Sequence, residues 1–455
     1  MSRGAARRFA FACAAAACLA ATASAAAAPP KGFALRTIVR GLDEPTAFAW
    51  APDGRIYIAQ KKGMVRVFHH GVLEDFLDLR KEVNEHAERG LVNIALDPRF
   101  ARNRTLYLLY TAELRPDDPD ELHPGNGTLV SVRVSKSDPD RPETGSRRTI
   151  LSGFRVIGPW HAVAGMTFDA RGRLLVGFGD GSPYYPKDFS AAALWTYDLG
   201  VLNGKIVRID PATGKGVPGN PFYDPARPSA VRSKVIAYGF RNPFSIRYDR
   251  PTDRFYVGDV GTDQWEEIDV LDEPSVRAGV GLDFGWPCYE GGDGEAVQQT
   301  AYATLPACHE LYRRAAAGQE RTVAPMYAYG GQGGAAIVVG PVYRGTAYPQ
   351  RYRGRLFFAD FVKDRLWTLD DGKASDFGGA GGWGAPVDIQ ATPRGSLAYL
   401  AFGTGRLNEI VYVGGEGGGG GALVWGLVAG GVALALTTAG WLAHRRHAAR
   451  ARPSG

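Results

Sequence analysis

Short segments in which apolar and polar residues alternate recur along the chain, in pairs that flank a polar turn built on Asp, Pro or Gly. Alternation with a period of two predicts a half-buried β-strand, and two such strands around a turn predict an antiparallel hairpin. A shorter alternating segment follows every hairpin. The six predicted hairpins span residues 47–60, 93–111, 165–180, 244–261, 342–361 and 388–403.

Six similar hairpins, each followed by a further strand, indicate a repeat architecture. The predicted fold is all-β: a six-bladed β-propeller of four-stranded antiparallel blades over residues 29–413, in which radial repetition leaves only short strand edges. Independent sandwiches are the alternative, but each would need about seven strands of its own. Residues 32–42 are predicted to supply the strand that completes the ring.

The two ends of the chain differ from the body. Residues 1–28 have an arginine-containing start, an apolar stretch and an alanine-rich end, as in a secretory signal peptide. Residues 422–443 are uncharged and mostly apolar, long enough to cross about 30 Å of hydrocarbon. A glycine-rich linker, 414–421, precedes them, and a basic tail, 444–455, follows.

Positive charge marks the cytoplasmic side of a membrane span. The pattern therefore predicts an exported body on the periplasmic or extracellular face, held at the membrane by one C-terminal transmembrane helix. The alternative for residues 422–443 is a sorting signal that is cut and replaced after export.

The net charge of +6 comes from the two ends of the chain. Without the arginines of the predicted signal peptide and basic tail the protein is close to neutral, so the body lacks the basic footprint of a nucleic-acid-binding protein. Those arginines are Arg3, Arg7, Arg8, Arg445, Arg446, Arg450 and Arg452.

The spacing between hairpins is uneven, which predicts insertions within the blades, and long loops on a rigid scaffold commonly build the site. The largest insertion, residues 275–335, contains Cys288 and Cys308, the two cysteines outside the predicted signal peptide. Two cysteines in an exported chain predict a disulfide, with two free buried thiols as the alternative.

Two loop-to-strand junctions carry candidate chemistry. His161 lies just before the inner strand of the third hairpin, where a neutral imidazole can take a proton from a substrate hydroxyl. Arg241 and Asn242 open the fourth hairpin and offer a planar guanidinium and an amide. Each has a structural alternative, since a lone histidine is often a core residue and this Arg-Asn pair is compatible with a capped turn.

The segment GDVGTDQWEEID, residues 258–269, joins two predicted strands by a Gly-Thr-Asp turn. Such a turn exposes carbonyl oxygens, and Glu266 and Glu267 follow closely. Calcium binds six to eight hard oxygens, often including backbone carbonyls. The spacing is not that of an EF-hand loop, so the pattern alone leaves a plain turn as the alternative.

These motifs occur in one order: ERGLVNIALDPRF, WHAVAGMTFDARGRLLVGFGD, YGFRNPFSIRYD, DVGTDQWEEIDVL, FGWPCYEG and VYRGTAYP. In that order, over nearly the whole body, the chain resembles the glucose/sorbosone dehydrogenase family of soluble aldose dehydrogenases that depend on pyrroloquinoline quinone (PQQ). The resemblance implies a six-bladed propeller. It also implies that His161 removes the proton of the sugar's anomeric hydroxyl, and that Arg241 and Asn242 bind the quinone's oxygens and carboxylates.

The same resemblance implies calcium. The carbonyls of Gly261 and Thr262 match those that hold the ion on the quinone, and Glu267 matches a residue tied to a second, structural calcium in some members. Glu88 and Trp160 fall at substrate-contacting positions, where the glucose-oxidising members have a glutamine and an acidic residue.

The chain departs from the family at the cations that hold the cofactor's carboxylates. Val362 stands at the expected lysine position, with Lys363 one residue away as the nearest cation. The arginines expected before the sixth inner strand fall near Ala385 and Val387.

Two classes of function follow. The first is an exported, PQQ- and calcium-dependent dehydrogenase that oxidises the anomeric carbon of an aldose to a lactone and passes electrons to an external or membrane acceptor. The second is a non-catalytic extracellular propeller that binds a carbohydrate or protein partner, which the missing cations favour. A propeller lactonase is a third class, but its axial cluster of carboxylates and asparagines was not identified.

Overall fold

In the computed structural model the chain is described over residues 29–114, 124–181, 191–262, 264–292 and 297–414. These residues form six four-stranded sheets, and every strand pairing within them is antiparallel. The first strands of the sheets contact one another in a closed ring. The all-β six-bladed propeller is thereby confirmed.

Blades one to five are each continuous in sequence. The strands of blade one are Pro45–Trp50, Ile56–Gln60, Met64–His69 and Val72–Asp78. Those of blade two are Leu91–Leu96, Thr105–Ala112, Gly125–Arg133 and Arg148–Val156. Those of blade three are Val163–Phe168, Leu174–Phe178, Lys205–Ile209 and Val235–Tyr238. Those of blade four are Ser245–Asp249, Arg254–Asp259, Trp265–Asp272 and Tyr327–Gly330. Those of blade five are Ile337–Val342, Leu356–Asp360, Arg365–Asp370 and Lys373–Asp376.

Blade six joins the two ends of the body. Its three inner strands are Pro386–Ala391, Leu397–Ala401 and Arg406–Tyr412, and its outer strand is Phe33–Val39. The pairing of Phe33 with Tyr412 confirms that the segment after residue 31 completes the ring. Closing a ring in this way ties the first strand to the last through backbone hydrogen bonds.

One predicted hairpin was displaced. The fifth was predicted to begin at residue 342, whereas the inner strand of blade five is Ile337–Val342 and a loop fills the space to Leu356. The prediction took Tyr343 and Tyr348 for strand residues, but they are buried loop residues stacked on each other with 4.6 Å between ring centroids. In this loop, buried aromatic residues alternate with polar ones, and that alternation resembled the pattern of a strand.

The core lies between neighbouring blades. All five residues of the strand Ile56–Gln60 are buried, as are all five of Leu174–Phe178, because both sheet faces are covered by the adjacent blades. Helices occur in the connections. The α-helices are Phe100–Asn103, Glu273–Ala278 and Pro306–Ala316, and the 3₁₀ helices are Ala191–Tyr197, Arg232–Lys234, Gln350–Tyr352 and Phe402–Thr404.

Within the described ranges, no helix has both the length and the apolar character needed to cross a membrane. The predicted signal peptide, residues 1–28, and the predicted span, residues 422–443, lie outside those ranges. So does all but the first residue of the linker.

Candidate active site at the mouth of the propeller channel

A cavity of about 490 Å³ opens on the propeller axis, where the inner strands begin. Its two sides differ in chemistry. Blades one to four and their loops supply the polar lining: Glu44, Thr46, Lys61, Glu88, Arg89 and Asn242. Blades five and six supply an apolar lining: Ala335, Ala336, Val338, Phe361, Val362, Val387 and Phe402.

His161 adjoins this cavity through Ala162 and Val163, which line it. Its Nδ1 lies 2.8 Å from Asp180 Oδ1, and both side chains are almost completely buried. An ionised carboxylate can only accept hydrogen bonds, so Nδ1 is the donor to Asp180. In a neutral imidazole with hydrogen on Nδ1, Nε2 carries the lone pair. A buried imidazole held in this tautomer is the arrangement required of a general base.

The backbone around His161 explains its placement. His161 has a φ of 50°, the left-handed region that non-glycine residues seldom adopt. Its carbonyl accepts from Gly181 N at 3.1 Å, and a Cβ at Gly179 would approach that carbonyl to 2.3 Å. Glycine at position 179 is therefore required for the strand-end turn that carries Asp180 past His161.

Glu88 lies between two of the predicted site residues. Its Oε2 accepts from His161 N at 3.0 Å and lies 3.5 Å from Asn242 Nδ2. Glu88 is exposed and lines the cavity. The structure thus brings Glu88, His161 and Asn242 together at one side of the channel mouth.

The Asp259 carboxylate holds the backbone of Arg241 and Asn242 in place. Its two carboxylate oxygens accept from Arg241 N at 3.0 Å and from Asn242 N at 2.6 Å. Burial raises the pKa of Asp259 to about 7, although both backbone hydrogen bonds oppose the rise. Asn242 lines the cavity. Arg241 Nη1 donates to Val260 O at 2.8 Å and to Gly261 O.

The turn predicted to bind calcium is held by a glutamate. Thr262 Oγ1 donates to Glu290 Oε2 at 2.9 Å, and Thr262 N donates to the other oxygen. Gln299 Nε2 donates to Glu290 Oε2 at 2.6 Å. Gly261 has no room for a side chain, because a Cβ would lie 1.7 Å from Trp265 O.

Glu267 belongs to a buried cluster of carboxylates. Oxygen atoms of Asp259, Glu267 and Asp269 all lie within 4.8 Å of one another. Burial and the neighbouring carboxylates raise the pKa of Glu267 and of Asp269 well above their ordinary values. Neither oxygen of Asp269 has a hydrogen-bond partner among the described residues. Three closely spaced hard oxygen donors with unsatisfied capacity suit a divalent cation such as calcium.

Lys363 and Trp160 are among the predicted site residues that do not line the cavity. Lys363 Nζ lies 2.5 Å from Gly330 O and 4.9 Å from the centre of the Tyr329 ring, so its charge faces blade four. The cavity lining at this position is Val362. Trp160 is half-buried in the bend before His161 and is not among the described lining residues.

The predicted disulfide between Cys288 and Cys308 is present. It links the loop after Trp286 to the helix Pro306–Ala316, within the largest insertion. This places the disulfide next to the residues that contact the site.

Several functional residues were missed from the sequence. Asp180, Trp286, Asp259, Asp269 and Glu290 all contact predicted site residues. The usable signal was their position at the end of a hairpin's second strand: Asp259 is the last residue of its strand, and Asp180 lies two residues after the strand Leu174–Phe178. Contacts between blades have no counterpart in local sequence spacing.

A family model described as glucose/sorbosone dehydrogenase matches residues 42–377. The aldose sugar dehydrogenase YliI of Escherichia coli is 26% identical over 263 residues, covering 57% of this chain and 63% of that protein. The human hedgehog-interacting protein is 26% identical over 240 residues, covering 49% of this chain and 32% of that protein. The chain thus spans less than two thirds of the length of either relative.

The solved structures show the same fold. The PQQ-bound aldose sugar dehydrogenase of Streptomyces coelicolor superposes with a TM-score of 0.59 at 20% identity, covering 84% of this chain and 99% of that one. The family model extends from just before blade one to the last strand of blade five and its following turn, and so includes His161, Arg241 and the Gly261–Thr262 turn. On this match the chain belongs to the glucose/sorbosone dehydrogenase family.

Proposed function

We propose that the protein is a PQQ- and calcium-dependent sugar dehydrogenase that oxidises the anomeric carbon of an aldose to a lactone. The observation that carries the proposal is the buried His161–Asp180 pair beside an axial cavity. A structural core histidine has no need of a charged partner or of a left-handed backbone, whereas a base at a cavity wall needs its tautomer fixed.

His161 acts as the base through Nε2. Asp180 accepts the Nδ1 hydrogen, so the proton of the sugar's anomeric hydroxyl goes to Nε2 and the resulting imidazolium is stabilised by the carboxylate. Glu88 and Asn242 lie on the same side of the cavity and offer an acceptor and a donor to the sugar's other hydroxyls.

The residues present fit a planar quinone of the size of PQQ. The cavity volume lies within the roughly 300–1,000 Å³ of small-molecule sites, and its apolar side suits a ring face. The lining cations are Lys61 and Arg89, whose side chains also donate to Glu85 O and Gly158 O. Asn242 adds an amide donor for a carboxylate. When bound, PQQ would supply a hydride acceptor and calcium would supply a Lewis acid, while this chain's residues hold them and the sugar.

Calcium is supported by the surplus of buried carboxylates in blade four. Asp259, Glu266, Glu267 and Asp269 lie on two adjacent strands, and Glu290 reaches the same region. Burying so many carboxylates is costly unless they are protonated or bound to a cation. The Gly261 and Thr262 carbonyls are the proposed ligands of the calcium on the quinone, and the Glu267 carboxylate is the proposed ligand of a second, structural calcium.

The location follows from the sequence of the two ends. Residues 1–28 would direct export, and residues 422–443 would keep the body at the membrane unless they are processed. An exported sugar dehydrogenase needs an electron acceptor outside the cytoplasm. A membrane segment at residues 422–443 would hold the enzyme near an acceptor in the membrane.

The alternative is a propeller that binds a carbohydrate or protein without redox chemistry. Its support is the apolar side of the cavity, where Val362 and Val387 stand in place of the cations expected for PQQ carboxylates. The hedgehog-interacting protein among the relatives is named for a binding role.

Titration of the purified protein with PQQ, with and without calcium, decides between them. The proposal predicts saturable, calcium-dependent changes in the cofactor's absorbance, followed by dye reduction with at least one aldose of a panel. Absence of binding at micromolar PQQ with calcium present would contradict it and leave the binding module.

A further inference from the structure

One loop, residues 284–291, contacts Asp180, Arg241 and the Gly261–Thr262 turn, and we call it the Trp286 loop. The Trp286 indole Nε1 donates to Asp180 Oδ2 at 2.9 Å. The other oxygen of that carboxylate is the one that accepts from His161 Nδ1. Asp180 is fully buried, so both of its oxygens are directed by protein groups.

The indole hydrogen bond helps to orient the Asp180 carboxylate. With Oδ2 held by Trp286, Oδ1 faces His161 Nδ1 at 2.8 Å. A hydrogen bond to an ionised acceptor is worth more than one between neutral groups, and burial strengthens it further. Without the indole N–H, Oδ2 loses this donor, and the preference for hydrogen on Nδ1 weakens.

The same loop also supports the cofactor-binding turn. The Trp286 ring lies 5.5 Å from Arg241 Cζ, and Glu290 holds Thr262 by two hydrogen bonds. Gly291 N donates to Glu267. Base, arginine and turn are therefore positioned by one segment.

The Trp286 loop is itself fixed at several points. Thr196 Oγ1 donates to Trp286 O at 2.8 Å, and Tyr312 OH donates to Cys288 O at 2.6 Å. Cys288 is bonded to Cys308 on the helix Pro306–Ala316. The indole thus projects from a loop that is tied on both sides.

We propose that Trp286 is a positioning residue for the base: its indole N–H fixes Asp180, which holds His161 with hydrogen on Nδ1 and the lone pair on Nε2. The role in turnover rests on the proposed dehydrogenase function, whereas the effect on the tautomer does not. The two are therefore tested by different measurements.

Trp286→Phe removes the N–H and keeps an aromatic ring against Arg241. Trp383→Phe is the matched control, because its indole Nε1 also donates at 3.0 Å from a buried position, to Gly379 O in the loop before blade six. Nitrogen-15 shifts of labelled histidine, assigned with His161→Ala, report the tautomer without cofactor or substrate. We expect wild type and Trp383→Phe to show one tautomer at His161 and Trp286→Phe to show a mixture.

In the loaded enzyme, Trp286→Phe should lower kcat roughly tenfold at unchanged KM, the loss expected for one charge-assisted hydrogen bond. A wild-type tautomer in Trp286→Phe would overturn the proposal, whatever the activity. A changed tautomer in a protein without any dehydrogenase activity would sustain the positioning role and refute the proposed function.

If Trp286→Phe does not fold, the wild-type indole resonance decides. A hydrogen bond to buried Asp180 predicts a downfield, slowly exchanging indole N–H that moves upfield in Asp180→Asn. An indole signal that Asp180→Asn leaves in place would overturn the proposal.

Discussion

The His161 imidazole is 3% exposed, yet the two residues that follow it line the cavity. His161→Ala removes the histidine partner of buried Asp180, so the fold of the variant is checked separately from its turnover. His161→Ala should lower turnover roughly 10²–10⁴-fold, the usual contribution of a general base, and should lower the melting temperature while the protein still folds. His309→Ala, on the exposed surface of the last α-helix, is the control. Unchanged turnover in His161→Ala would remove His161 from the mechanism.

Val362 is the position where one residue decides between the two functions. Its side chain is 51% exposed and lines the cavity, so a lysine there has room and adds a cation to the apolar side. Val362→Lys should tighten PQQ binding roughly tenfold through attraction to a carboxylate. Lys363→Met should leave it unchanged, because that ammonium contacts Gly330 O. Equal affinities in wild type and Val362→Lys would show that no PQQ carboxylate approaches blade five.

At this scale the sequence located residues that sit at a recognisable junction. His161, Arg241 and Asn242 each precede an inner strand, and the structure places all three at or just below the channel mouth. Asp180 and Trp286 are 106 residues apart and meet only when two blades and an insertion are assembled. Lys363 shows the opposite difficulty: a shift of one residue near a strand end sends the charge to another blade.

The insertion between the third and fourth strands of blade four contains the residues that hold the site in place. Its disulfide closes a loop over a sequence separation of 20, which should stabilise the protein by about 3 kcal/mol in the chain-entropy model. The Cys288→Ser/Cys308→Ser variant should lose that amount in the free energy of unfolding, measured with denaturant. A reducing agent should destabilise wild type equally and leave the variant unaffected; an effect on the variant would place the cause elsewhere.

The strands were predictable because their pattern is local, and the loops were not. Most hairpins appear at the predicted places, since alternation and a turn signal suffice to define them. The outer strands of the middle blades carry weaker patterns: Tyr327–Gly330 is partly exposed throughout and was hidden within the predicted insertion. An outer strand of this kind is defined by its pairing with a neighbouring strand, and the sequence does not show that pairing.

Across the whole propeller, acidic and basic side chains are distributed unevenly among the blades. Blade four buries a group of acids, whereas the described lining of the cavity carries only Lys61 and Arg89 as cations. Burial raises the pKa of Asp259 to about 7 and that of Glu266 to about 8. Unfolded carboxyl groups titrate near pH 4. Between about pH 4 and pH 8 the folded protein therefore binds more protons than the unfolded chain, and its stability falls as pH rises.

Calcium should reverse this trend, because it binds the ionised carboxylates of the folded state. We expect the melting temperature in a chelator to fall from pH 5 to pH 8, and added calcium to raise it more at pH 8 than at pH 5. Asp269→Asn removes one carboxylate that has no hydrogen-bond partner among the described residues, while keeping its shape. This variant should be more stable than wild type in the chelator at pH 8 and gain less from calcium. If calcium raises both melting temperatures equally at both pH values, the buried cluster is not its site, and the acids of blade four are held by protons alone.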